Sequence, residues 1–249
     1  MMDCVAILLG RKGSKGIPGK NTMKICGRPI SHYPMMAASN SKYISDIFLS
    51  TDDEDIKIDA ENFNLHFIDR PKDLCTDSAL FEDALIHGYR EIIKRLERTP
   101  DIIVILMCNA PTVSSDLIDS GIEALINDPE ADSAVTVSML NMYSPLRARK
   151  LNANGYLEPF VPFEVFGDPS TLSCDRDSQG DVFFADMSHS ISRSRTLDDI
   201  ANGLLPQQWM GKKIIPVYQS YGCDIDAEWQ VAASKWWLTK NGLSKTLTE

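Results

Sequence analysis

The sequence predicts an α/β fold of the Rossmann-like kind, a three-layer arrangement with a mostly parallel central sheet. Three observations carry this. Short apolar runs alternate with helix-period segments as far as about residue 143. Alternation of that kind implies right-handed crossovers and a sheet covered on both faces. A length of 249 residues, with 43% hydrophobic and 24% charged side chains, supplies one large domain with a sizeable core.

The elements follow in order. "CVAILLG" (4–10) reads as a buried strand. "ISHYPMMAASNSKY" (30–43) reads as a helix, with Pro34 tolerated near its first turn. "DIFLST" (46–51) is a strand, "DDEDIKIDAENF" (52–63) a short acidic helix and "LHFI" (65–68) a third strand. The segment 78–97 carries Phe81, Leu85, Tyr89, Ile92 and Leu96 at helical spacing. "DIIVILMC" (101–108) is a central strand, 116–126 a helix and 133–139 a strand. After an irregular stretch, "DVFFADM" (181–187) and "KIIPVYQ" (213–219) read as strands and 226–240 as the last helix. The acidic run 52–59 reads as a solvated helix start that suits the helix dipole.

Residues 152–181 hold three prolines, three glycines and scattered aromatics, among them Phe160, Phe163 and Phe166. A loop that long inside one domain is uncommon. The aromatic spacing predicts an inserted arm that packs on a second subunit, so a homodimer is expected.

Formal net charge is −10, which argues against nucleic-acid or anionic-membrane partners. Six cysteines form no C-x-x-C pair, so we expect a reducing, cytoplasmic setting without disulfides or zinc. No signal peptide or run of ~18 apolar residues is visible. The four histidines are scattered, and Cys108 reads as core rather than nucleophile.

Against that acidic background one loop stands out. "RKGSKGIPGKN" (11–21) places four cations, three glycines and a proline directly after the first strand. In an open parallel sheet, ligands bind beyond the carboxyl ends of the strands. Gly13 and Gly16 let the backbone bend and approach a ligand, and their amides can cradle phosphate oxygens. Arg11, Lys12, Lys15 and Lys20 supply charge. The spacing matches neither G-x-x-x-x-G-K-[ST] nor G-x-G-x-x-G. A triphosphate-binding loop is the reading, with a solvated turn as the bland alternative.

This loop resembles the R-x-G-S-K-G-x-P-x-K-N signature of acylneuraminate cytidylyltransferases, the CMP-sialic acid synthetases. "STDD" (50–53), "DRPKDLCTD" (69–77) and "GCDIDAEWQVA" (222–232) resemble further motifs of that family in the right order. The resemblance implies a nucleotidyltransferase fold, CTP and a nonulosonic acid as substrates, Mg²⁺ as cofactor and pairing through an arm. It implies that Arg11 and Lys20 hold the phosphates, with Ser14, Lys15 and Gly16 helping and Asn21 beside the nucleotide. Arg70 is implied near cytosine, with a structural salt bridge as its alternative. Asp224 and Asp226 are implied as the metal pair, which suits a hard, oxygen-seeking ion. Asp226 as a mere helix N-cap is the alternative. Arg11, Lys20, Asp224 and Asp226 form the implied catalytic set. For the sugar acid, Arg147 in "SPLR" is implied to meet the carboxylate, Asn109 to touch the sugar and Phe183 to form a wall. Arg176 and Trp209 are further candidates.

The chain also departs from the family pattern. "NAPTVSSD" (109–116) replaces Q-P-T-S-P-L-R, Leu80 and Phe81 replace small hydroxyl residues, and "SQGDVFF" (178–184) stands where R-P-N-G-A-I-Y is common. These changes point to a modified nonulosonic acid rather than N-acetylneuraminate. The rival readings are a 3-deoxy-octulosonate cytidylyltransferase and a non-catalytic nucleotide-binding protein.

Overall fold

The computed structural model describes residues 2–13, 16–175 and 179–244. The order is β1 (Cys4–Leu9), the hairpin β2 (Lys24–Ile25) and β3 (Arg28–Pro29), α1 (His32–Ser39), β4 (Ile44–Thr51), α2 (Glu54–Ala60), β5 (His66–Asp69), α3 (Phe81–Leu96), β6 (Ile102–Met107), α4 (Ser115–Asn127) and β7 (Ser133–Met139). A second hairpin, β8 (Arg149–Leu151) and β9 (Leu157–Pro159), leads to β10 (Phe183–Arg193), α5 (Ser194–Asp198), β11 (Ile214–Gln219) and α6 (Glu228–Lys240).

Seven strands form the central sheet in the order β11-β7-β10-β6-β1-β4-β5. Six run one way, and β10 runs against both of its neighbours. The expected mostly parallel sheet is therefore present. Strand β1 shows why its sequence is apolar at every position. Ala6 and Leu8 pack on one face with Met35, Ile118 and Ile122. Val5 and Ile7 pack on the other with Leu85, Tyr89 and Ile92. Each residue meets a helix on one side or the other, so no position tolerates a polar side chain.

A third cluster positions the site. Ile25, Ile30, Tyr33, Cys223, Ile225, Trp237 and Leu238 bury together. They tie the β2–β3 hairpin and α6 to the segment that carries Asp224 and Asp226.

The antiparallel strand is longer than the expected 181–187. Its C-terminal half is rich in serine, which hides the strand pattern, and those hydroxyls meet buried partners that flank the sheet, as with Ser192 Oγ on the Trp209 carbonyl at 2.7 Å. The excursion before it is no bare loop. It holds the β8–β9 hairpin, which begins at Arg149, ahead of the expected boundary at 152. Charged Arg149 and Lys150 conceal that strand in the sequence. Phe163 lies under the Arg149 guanidinium at 5.4 Å, whereas Leu151, Tyr156, Leu157, Phe160, Val165 and Phe166 stay exposed.

Candidate active site

The loop after β1 opens into a cleft of about 200 Å³. Leu9, Gly10, Arg11, Gly13, Lys20, Asn21, Arg70 and Asn109 line it, and Leu74, Ala79, Leu80, Phe81 and Ala84 form an apolar wall. These residues come from the C-terminal ends of β1 and β6, from the segment after β5 and from the start of α3. The topology thus gathers them where a parallel sheet presents its loops.

The loop's shape is built into it. Gly13 has φ +80°, a conformation that strains any side chain. At Gly16 a Cβ would come within 2.6 Å of the Asp226 carbonyl oxygen, so only glycine lets the loop lie against that segment. Asn21 is nearly buried, and its amide donates to the Arg11 carbonyl at 3.1 Å. It braces the loop. The backbone N–H of Lys12 donates to Asp52 Oδ1 at 2.7 Å, so part of the acidic run 52–59 holds the cationic loop instead of facing water alone. Asp53 supplies the N-cap of α2, accepting from the Asp55 N–H at 3.0 Å.

Among the described residues, each cation that lines the cleft has a partner. Arg11 Nη2 lies 2.7 Å from Asp77 Oδ1. Lys20 is ion-paired with Asp226. Arg70 donates from Nε to Ser50 Oγ at 3.2 Å and from Nη2 to the Ser50 carbonyl at 2.7 Å. That replaces the salt bridge weighed as its structural alternative. Burial pulls the Arg70 guanidinium below its ordinary value.

Opposite the loop, Asp224 is half-buried and Asp226 is exposed. Burial, then the neighbouring Asp226 charge, raises the Asp224 carboxyl above the usual carboxylate range. Two close carboxylates, one of them desolvated, suit a hard divalent cation. Among the described residues no group of three His, Cys, Asp or Glu is gathered, so such an ion would complete its shell with water and phosphate oxygens. Asp226 is not the N-cap of α6. Ala227 occupies that place, and Gln230 Oε1 accepts from the Asp226 and Ala227 N–H groups at 2.8 and 2.7 Å.

Asn109 joins the two halves. Its carbonyl accepts from the Ile225 N–H at 2.9 Å, and its amide donates to the Ile225 carbonyl at 3.3 Å and to Asp224 Oδ2 at 3.5 Å. The residue implied to touch the sugar thus also carries the Asp224 segment.

The structure does not bring the other sugar candidates into this cleft. Arg147 lines a separate pocket in the arm, donating to Gln179 Oε1 at 3.3 Å and the Cys174 carbonyl at 3.2 Å. Phe183 lies outside the cleft wall, edge-on to Tyr218 with ring centroids 5.5 Å apart. Trp209 is core: it is buried against Phe81 at 4.8 Å, and its indole N–H donates to Ser190 Oγ at 3.3 Å. The aromatic edges of β10 and the core are indistinguishable by residue type alone. Ser14, Lys15 and Arg176 lie outside the described residues. Cys108 is buried, and burial pushes its thiol up to about 12, as a core residue requires. Asp52, Asp77 and Ser50 were missed as site residues, although each falls inside a stretch that the resemblance marks.

The sequence matches the profile of a family described as "Cytidylyltransferase" over residues 5–155. A 3-deoxy-manno-octulosonate cytidylyltransferase of Bdellovibrio bacteriovorus is 27% identical over 152 residues, covering 61% of this chain and 55% of that protein. An N-acylneuraminate cytidylyltransferase of Oncorhynchus mykiss is 24% identical over 230 residues, covering 92% of this chain and 49% of that one. The chain thus spans about half the length of these two curated relatives. Among solved structures, a CMP:2-keto-3-deoxy-manno-octonic acid synthetase complexed with CTP superposes with a TM-score of 0.66, at 14% identity, over 96% of this chain and 99% of that one, which speaks to the fold. With the profile covering well over half its length, the chain belongs to the cytidylyltransferase family.

Proposed function

We propose that this protein transfers CMP from CTP to the anomeric hydroxyl of a nonulosonic 2-keto sugar acid and releases pyrophosphate. The observation that carries the reading is the cleft itself. A glycine-shaped loop with Arg11 and Lys20 faces the Asp224–Asp226 pair across a strand end. In the reaction the anomeric oxygen bonds to the α-phosphorus and the bond to the pyrophosphate oxygen breaks. The hydroxyl proton passes to solvent or to a base that we leave unassigned. Arg11 and Lys20 hold the phosphates and offset charge on the departing pyrophosphate. Asp224 and Asp226 would hold Mg²⁺, which when bound supplies charge neutralisation at the phosphates. Arg70, fixed on Ser50, offers a rigid donor toward the base, and the apolar wall from Leu74 to Ala84 packs against it.

The N-acylneuraminate enzyme aligns with nearly the whole chain, which favours a nonulosonic acid. The octulosonate enzyme aligns with a shorter part and supports the second reading. We further propose a homodimer formed through the arm. The exposed Leu151, Tyr156, Leu157, Phe160 and Val165 favour a covering partner. Arg147 stands just before the arm and is tied to it through Gln179 and the Cys174 carbonyl, so in such a pair we propose that this guanidinium serves the sugar acid of the second copy. Six free cysteines favour a cytoplasmic setting, and among the described residues no helix is long and apolar enough to cross a membrane.

Pyrophosphate release from CTP, scanned over N-acetylneuraminate, legionaminate, pseudaminate and 3-deoxy-octulosonate, tests the reading. Turnover with a nonulosonic acid is expected. Turnover with octulosonate alone would establish the second reading, and none at all would leave a nucleotide-binding protein.

A further inference from the structure

Asp186 is a buried carboxylate with no part in the chemistry proposed above, yet it accepts three hydrogen bonds. Ser138 Oγ and Gln219 Nε2 donate to Oδ2 at 2.8 and 2.9 Å, and the Ser188 N–H donates to Oδ1 at 3.2 Å. The residue sits where β10 breaks register on β7, between Ala185 and Ser190, beside Met187 at φ +60°. A bulge of this kind re-aims a side chain that a regular strand would point elsewhere.

The bonds continue from Asp186 toward the site. Gln219 Nε2 also reaches Ser188 Oγ at 3.0 Å. Ser188 Oγ is 2.8 Å from Thr112 Oγ1. Thr112 Oγ1 accepts from the Cys223 N–H at 2.9 Å and donates to the Cys223 carbonyl at 3.3 Å. If Ser188 donates to Thr112, every hydroxyl along this path is used once as a donor. The path ends on the backbone of the residue before Asp224. Gly222 closes it: a Cβ there would fall 2.4 Å from Asp186 Cγ, 2.4 Å from Ser188 Oγ and 2.3 Å from Gln219 Nε2.

Asp186 also decides how the Gln219 amide points. Turned over, its oxygen would face a carboxylate. In the orientation adopted, both contacts use the NH₂ group, and Gln219 Oε1 is left buried without a partner. An orphaned acceptor is tolerated only where the other bonds outweigh it.

We infer that Asp186 is a positioning residue. Acting through Gln219, Ser188 and Thr112, it fixes the backbone at 222–223 and so aims Asp224. The metal consequence of this inference rests on the proposed role of Asp224 and Asp226; the backbone consequence does not. Outer partners of metal-holding carboxylates change metal affinity by roughly 10- to 100-fold when removed.

The test uses the full chain with Gln219→Met and Asp186→Asn. Gln219 lies half-exposed on the edge strand β11, so Gln219→Met keeps the fold even if Asp186→Asn does not. Hydrogen exchange without metal reads the Cys223 and Ile225 amides, and Mn²⁺ titration by electron paramagnetic resonance with CTP reads the cation. Exchange at Cys223 is expected to quicken about tenfold or more, and Mn²⁺ affinity to fall about 10- to 100-fold. CTP binding without metal should stay near that of the wild type, and Gln219→Met should remain folded by circular dichroism. Unchanged exchange and unchanged Mn²⁺ affinity in a folded Gln219→Met protein would overturn the inference. Should the wild type bind no Mn²⁺ with CTP, the metal reading fails, and the exchange measurement alone decides the positioning role.

Discussion

Lys20 and Asp226 form an ion pair across the cleft, the lysine nearly covered and the aspartate largely open, with side chains 13% and 63% exposed. On the proposed reading, a triphosphate at Lys20 competes with this carboxylate and would leave Asp226 available to a cation. The side chain of Asp226 is not needed for the helix that follows, because its backbone N–H is what meets Gln230. Asp226→Asn should therefore fold normally by circular dichroism. Its turnover should fall by roughly two or more decades. Near-normal rates at saturating Mg²⁺ would mean that the pair is structural.

Arg70 should set the nucleotide preference. Its guanidinium is locked on Ser50 at two nitrogens and cannot swing to suit another base. Thermal shifts with CTP, UTP, ATP and GTP at equal Mg²⁺ should be largest for CTP. Arg70→Leu should weaken CTP binding by about 10- to 100-fold, the worth of one charged hydrogen bond. An equal shift from a purine triphosphate would remove the base assignment.

Acid should loosen the fold through His189. Both ring nitrogens are buried without partners, and burial pushes the imidazole down to about 3 from its ordinary 6.5. The unfolded chain then binds a proton that the folded chain refuses. This contribution is complete above pH 6.5 and is lost progressively as pH falls toward 3. The slope approaches ~1.4 kcal/mol per pH unit well below 6.5. Urea unfolding between pH 7 and pH 5 should show the decline, and His189→Leu should flatten it. A slope identical in the two proteins would place the acid sensitivity elsewhere.

The arm should govern assembly. Light scattering at micromolar concentration is expected to give twice 27.8 kDa. Leu157→Glu with Phe160→Glu places charges on the exposed apolar face and should yield monomers. The mutant should still bind CTP, since none of the cleft residues lies in the arm. An interface of standard size buries on the order of 1,600 Å² in total. A native mass of 27.8 kDa for the unaltered chain would leave the arm without this role.

The sequence by itself determined the mostly parallel sheet and the loop that opens the cleft. Short apolar runs at 4–9 and 102–108, bounded by turn and charged residues, point to strands buried on both faces, and glycines with cations after the first of them point to a ligand-binding loop. Composition and spacing are local, so they identify elements and loop chemistry well. Tertiary structure decided what depends on partners remote in sequence. It placed β10 antiparallel between β6 and β7, because a strand's direction depends on how the chain returns from the arm. It spent Asn109 on the Asp224 segment and turned Arg147 onto the arm, away from the cleft. It paired Arg11 with Asp77 and Lys20 with Asp226, the latter across 206 positions of chain. Such pairings are set by which loops the sheet order brings together, and no local pattern of residues encodes them.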